Sequence, residues 1–276
     1  MKKLNQQGSH VVGIILVIVV LAVIGGIGYK VLGSNNKQAD SKPTTSSGTQ
    51  SGTSKTTWML TADGYAPSGT PPKCDDRMIA KTPVDLSKVT SMLYPGQYRG
   101  PSYKPHGGFR FDTITDNKIT VIAPFDGAVI KGVAAYAEGM DDVQYGFDVM
   151  NDCGMMYRIG HLYELSSEMK AIAAKLPAPI KNDSRDTTIN PSVFVKAGTV
   201  IATMVGTPSD HNTFFDFGVI DWNMPNAISS DASWLADPQH NVPLAKHATC
   251  WFAELNAKDE ATVRALPGNK TSDYCK

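Results

Sequence analysis

The chain has 276 residues and carries 26 lysines and arginines against 26 aspartates and glutamates. That balance offers no basic face of the kind nucleic acid requires, so a nucleic-acid partner is not expected. The charge is unevenly spread. Residues 1–57 hold six lysines against Asp40 alone, leaving 20 basic and 25 acidic groups in residues 58–276, a mildly acidic domain behind a basic lead.

Residues 1–10 form a short polar segment, and Val11 to Tyr29 then runs for 19 residues without a charge. At about 1.5 Å per residue this run crosses a hydrocarbon core of about 30 Å, so a single transmembrane anchor is expected over residues 11–33. A cleavable signal peptide is a rival reading, although its apolar region is usually shorter and no A-x-A site follows. A third reading takes KKLNQQGSHVV as resembling a type IV prepilin leader cut after Gly8, with Gly13 where pilins usually carry Glu. That would make the chain a pilin-like surface subunit. Lys2 and Lys3 before the apolar run nearly balance Lys30 and Lys37 after it, so charge alone does not orient it. Residues 34–57 are almost entirely Ser, Thr, Gly, Asn, Gln and Lys, with Pro43 and no large apolar side chain. Such a segment buries too little surface to fold and reads as a flexible tether. The expectation is a single-pass membrane protein with its domain, residues 58–276, outside the cytoplasm.

Within that domain, residues 58–105 are rich in Pro, Gly and polar residues and read as an irregular lead-in rather than a core. From His106 short strands take over. Phe109 and Phe111 alternate with His106, Gly108, Arg110 and Asp112, a period of two. Phe125-Asp126-Gly127 marks a turn between apolar runs, and Asn151 to Gly154 the turn of a hairpin. Ser166 to Leu176 has helical spacing at Met169, Ile172, Ala173 and Leu176, followed by a loop from Pro177 to Pro191. VFVKAGTVIATMVGT predicts a second hairpin turning at Ala197-Gly198, TFFDFGVID a further strand, and Lys258 to Leu266 a short helix stopped by Pro267-Gly268. Strands outnumber helices without β–α alternation, so a mainly β, antiparallel domain with a helical insertion is expected.

Cys74, Cys153, Cys250 and Cys275 all follow the tether and none forms a C-x-x-C pair. An even count in an exported domain predicts two disulfides, with three connectivities open. Pairing Cys250 with Cys275 staples the C-terminal tail and leaves Cys74 with Cys153.

The order of the pieces H-G-G, APFDGAV, YGFDV, YRIGHL, VKAGTVIATMVGT and FFDFGV resembles the lysostaphin-type (LytM-type) zinc peptidases of bacterial cell walls. That family runs H-x-G-x-D, A-x-x-x-G-x-V, Y-G-x-x-V, Y-x-H-L, V-x-x-G-x-x-I-G and H-L-H-F-E-V. The resemblance covers residues 103–221, with an insertion at roughly 166–192, and leaves a C-terminal extension over 222–276. No single piece is specific; the sequence of six carries the likeness.

The resemblance implies a zinc site, and this chain departs from it. His106 matches the first ligand, but the second falls on Arg110, a permanent cation that cannot bind metal. The third falls on Asp216, an oxygen donor in place of imidazole. Of the two assisting histidines, His161 is kept and the other is Phe214. Zinc hydrolysis needs three protein ligands and an open water position, so the expected domain is one without zinc or catalysis, binding cell-wall peptidoglycan or a wall-associated protein. The competing expectation is an active zinc endopeptidase using His106 and Asp216, with His211 swinging in as a rescue ligand and His161 assisting catalysis. In the inactive case Arg110 and Asp216 are expected to form an ion pair where the metal stood. His10, His240 and His247 show no partner pattern. Trp251-Phe252 reads as a packing cluster beside Cys250.

Overall fold

The computed structural model describes residues 56–275. The expected anchor and most of the expected tether lie outside the described residues. So do the signal-peptide and prepilin readings.

Among the described residues the framework is an antiparallel sheet with short helices around it. The chain enters through a small hairpin, β1 (Trp58–Thr61) with β2 (Gly64–Pro67), then β3 (Ser91–Leu93) and a second hairpin, β4 (Gln97–Arg99) with β5 (Ser102–Lys104). There follow β6 (Gly107–Arg110), β7 (Val121–Ile122), β8 (Gly127–Tyr136), β9 (Val143–Met150) and β10 (Met155–Leu165). Helix α1 (Ser167–Ala173) separates them from β11 (Thr187–Val195), β12 (Val200–Val205) and β13 (Phe214–Asp221). The main sheet runs β11-β8-β9-β10-β13-β6-β3, with β12 pairing β10 and β7.

The period-two pattern divides this sheet into an apolar and a polar face. Phe109, Phe147, Val149, Tyr157, Ile159, Phe215, Phe217 and Val219 are almost wholly buried and form one continuous core. Each such side chain contributes roughly 1.5–3 kcal/mol. The intervening residues face the other way: His106 and Gly108 beside β6, Gly146 and Asp148 on β9, Arg158 and Gly160 on β10, Asp216 and Gly218 on β13. This second face carries the candidate site.

Local signals set several elements as expected. Asn151 and Gly154 turn β9 into β10, with Asn151 Oδ1 accepting from the Met155 amide at 3.0 Å. Ser166 caps α1 by accepting from the Met169 amide. The helix ends at Ala173, short of the expected Leu176. Both disulfides are formed, Cys74–Cys153 and Cys250–Cys275.

Three expectations are corrected. Residues 58–105 contribute to the core through Ile79, Val84, Val89, Met92 and Tyr94, all buried. These lie outside any periodic run and are buried by tertiary contact, as where the Met92 amide donates to the Pro267 carbonyl at 2.8 Å. The expected hairpin around Ala197-Gly198 is a turn without a hairpin ladder, because β11 pairs with β8 while β12 pairs with β10 and β7. The expected loop before Pro191 is in part the edge strand β11.

The C-terminal extension adds α2 (Ala232–Leu235), α3 (Pro243–His247) and α4 (Ala257–Ala265). Trp251 and Phe252 are fully buried in the main core, as a packing cluster should be.

Candidate functional site

The side chains of His106, His161 and Asp216, distant in sequence, converge on the polar face. His106 stands just before β6, Asp216 lies on β13 opposite Gly108, and Gly160 of β10 faces Asp216 from the other side. Asp216 therefore sits between two glycines that leave its carboxylate open to the groove. His106 Nε2 lies 2.9 Å from Asp216 Oδ2, and His161 Nε2 lies 3.3 Å from the same oxygen. Space is tight around them. A methyl at Gly218 would stand 2.7 Å from His106 Cβ, and one at Gly108 would stand 2.9 Å from Asp216 Oδ1.

His161 occupies a break in the sheet. β10 pairs with β13 through Gly160 and with β12 from Leu162, and its register with β9 shifts at the same point. His161 takes φ +60° there, a left-handed conformation uncommon outside glycine. Gln144 fixes its ring: the Gln144 amide donates to the Gly206 carbonyl at 2.6 Å, which leaves Oε1 to accept from His161 Nδ1 at 2.8 Å.

The counter-cation comes from a residue that motif reasoning missed. Arg99, last in β4, places a guanidinium nitrogen 3.1 Å from Asp216 Oδ1 and donates a second bond to the His106 carbonyl at 2.7 Å. Burial works to raise the Asp216 pKa, but the neighbouring imidazoles and their hydrogen bonds outweigh it and hold the carboxyl well below its ordinary range. Burial also lowers the pKa of His106; Asp216 opposes this incompletely and Arg99 reinforces it. His106 is then neutral at pH 7 and donates its Nε2 proton to the carboxylate, which only accepts.

The expected Arg110–Asp216 ion pair is absent. Arg110 instead bonds Asp112 Oδ1 at 3.2 Å and Asn212 Oδ1 at 2.9 Å. Register explains it: Arg110 lies opposite Phe214, one same-face step beyond Gly108, so it stands roughly 6–7 Å along the strand from the position facing Asp216. Its guanidinium finds nearer oxygens at the end of the sheet. His211 does not swing in either. It has φ +56° in a turn, and its Nδ1 lies 3.1 Å from the Thr115 carbonyl. Phe214 packs its ring 4.4 Å from that of His161.

A second polar row continues across the same face. Arg158 lies opposite Asp148, with Nε 3.3 Å from Asp148 Oδ1, and its Nη2 donates to both Asp186 oxygens at 3.0 and 2.8 Å. Asp148 is buried, and burial drives its pKa up to about 6 against the pull of Arg158. Alternation with Gly146 and Gly160 in YGFDV and YRIGHL was the signal that both residues face the groove. For Arg99 the only signal was the hairpin form of YRGPSY, and that names no partner.

His106, His161, Asp216, Asp148, Arg158 and Asp186 line one groove of about 380 Å³. A larger depression of about 610 Å³ is bordered by Tyr163, Lys170 and Ala173 but lacks converging buried polar groups, so size alone does not mark the site.

Zinc does not fit these residues as they stand. The position at which the resemblance implies a second ligand holds Arg110, and the guanidinium of Arg99 lies beside the Asp216 carboxylate. Both imidazoles address a single carboxylate oxygen. Among the described residues there is no group of three or more His, Cys, Asp or Glu side chains that could hold a metal ion. The chain matches no protein-family model, no curated protein and no solved structure.

Proposed function

We propose that residues 58–276 form a LytM-type domain without zinc and without catalysis, displayed outside the membrane on an anchor over residues 11–33. Its groove binds peptide of the cell wall or a wall-associated protein. The observation that carries this reading is the convergence of His106 and His161 on one oxygen of Asp216. These are three of the positions at which the resemblance implies zinc chemistry, and they meet on neighbouring strands. The glycines under the groove support a binding role, because they let a ligand backbone approach the sheet closely. The charge-free apolar run and polar tether support the anchor.

The test is co-sedimentation of the full chain with purified wall sacculi. Arg158→Ala, which alters the groove wall without touching Asp216, should weaken retention. Equal retention of wild type and variant would remove the groove from the binding account.

A further inference from the structure

We propose that Arg99 is the resident cation of this site, standing where a divalent metal would otherwise stand, and that the C-terminal extension exists in part to clamp it there. The inference rests on the LytM-type reading for the metal position and on the site geometry for the arginine that fills it.

Tetrahedral zinc with bonds of about 2.0–2.1 Å sets its ligand atoms roughly 3.3 Å apart. The two imidazole nitrogens lie 2.9 and 3.3 Å from Asp216 Oδ2. Each of these two nitrogen–oxygen separations is within a few tenths of an ångström of that spacing. A carboxylate held among low-dielectric walls requires a positive partner, and Arg99 supplies it as a fixed charge with directed bonds. While that charge is there, a divalent ion meets repulsion at the one oxygen-bearing ligand.

Arg99 is also held in place from several sides. Its Nε is buried without a hydrogen-bond partner, so the side chain is not held for its own solvation. The β4–β5 hairpin that carries it is fastened from the extension. Tyr98 hydroxyl bonds Asp237, the Tyr103 hydroxyl donates to Asp273 at 2.8 Å, and the Tyr103 amide donates to Gln239 at 2.8 Å. The Asp273 amide donates to the Gly96 carbonyl at 2.8 Å, and the Cys250–Cys275 disulfide closes the tail that provides it. Most of the hairpin and all of the extension lie outside the stretch that carries the family resemblance. They cooperate to put one guanidinium beside one carboxylate.

The experiment is metal binding by the untagged full chain in mild detergent, read by equilibrium dialysis with Zn²⁺ and by the visible absorption of Co²⁺. Arg99→Ala and Arg99→Gln, the latter keeping a hydrogen-bonding side chain without the charge, are compared with wild type. Both should gain one Zn²⁺ per chain, with affinity raised by roughly a hundredfold or more, and a tetrahedral Co²⁺ spectrum. Adding His161→Ala should remove the gain. Should a variant not fold without metal, refolding in Zn²⁺ replaces dialysis, and recovery of the fold only with zinc supports the proposal. The proposal is overturned if wild type binds Zn²⁺ as tightly as the variants, if both folded variants stay metal-free, if the gain survives loss of His161, or if zinc restores neither variant.

Discussion

Arg99 and Asp216 stand 117 positions apart in the chain and meet at 3.1 Å, on side chains that are each less than one-fifth exposed. Against its burial, the carboxylate of this pair is held below its ordinary range chiefly by His106, His161 and their hydrogen bonds, and Arg99 adds a directed contact to its other oxygen. It also fixes the His106 carbonyl, so one side chain stabilises both halves of the site.

The first prediction contrasts two arginines. Arg99→Ala strands a largely buried carboxylate and should destabilise the fold by roughly 3 kcal/mol. Arg110 is paired with Asp112 at the exposed end of the sheet, and its removal should cost less than about 1 kcal/mol. Chemical denaturation of the two variants measures the difference, and equal losses would contradict the assignment of the counter-cation.

Gly218→Ala tests the packing beneath His106. The new methyl would lie 2.7 Å from His106 Cβ on a strand held between β10 and β6. Overpacking of this kind costs about 1–3 kcal/mol. The expected companion is a changed His106 titration by NMR, since its hydrogen bond to Asp216 must lengthen. A variant with unchanged stability and unchanged His106 titration would show that the site is looser than described.

The buried carboxylate Asp148 gives a pH dependence of known sign. Its pKa in the fold is about 6, against an ordinary value of 3.8. Between those values the folded chain holds the proton more tightly than the unfolded chain, so its contribution to stability falls as pH rises from about 4 to about 6. Asp216, whose pKa is lowered, acts oppositely: its stabilisation is complete above 3.8 and is lost as pH falls through its folded value. His106 is lowered as well, so its contribution improves as pH rises towards 6.5. Subtracting the Asp148→Asn stability profile from that of wild type isolates the Asp148 component. A difference that is flat between pH 4 and 6 would contradict the burial of its charge.

The disulfides supply a further test. Native, unreduced chain should show no alkylatable thiol. The Cys250–Cys275 link closes a span of 25 residues and Cys74–Cys153 one of 79. On loop entropy these are worth about 3.5 and about 4.5 kcal/mol. Replacing Cys250 and Cys275 by serine should also loosen the hairpin that carries Arg99, seen as faster amide exchange at Tyr98 and Tyr103. Unchanged exchange there would separate the tail from the clamp.

Much of this fold was legible because the signals are local. Phe109 and Phe111 alternate with polar neighbours, Asn151 and Gly154 turn a hairpin, and Ser166 caps a helix. Each depends on residues a few positions apart. Strand partners were less legible: periodicity says that residues 193–205 are extended but does not choose β8 for one half and β10 for the other. The site was half legible. His106, His161 and Asp216 were named from motif positions that the resemblance implies, and the structure brings them together, whereas the counter-cation was assigned to Arg110 because the resemblance places a ligand there. The electrostatic requirement was sound and the residue was wrong. Any cation that reaches the carboxylate satisfies that requirement, and a hairpin from the supposed lead-in reaches it better than a neighbour turned along the strand.

The central claim is that the groove holds wall material without metal and without cutting it. The most direct measurement is incubation of purified sacculi with the full chain, with and without excess chelator, following both the chain retained on the pellet and the soluble peptide fragments released. The account predicts retention that chelator leaves unchanged, with no fragments in either condition. Fragment release that chelator abolishes, or retention that requires zinc, would contradict it.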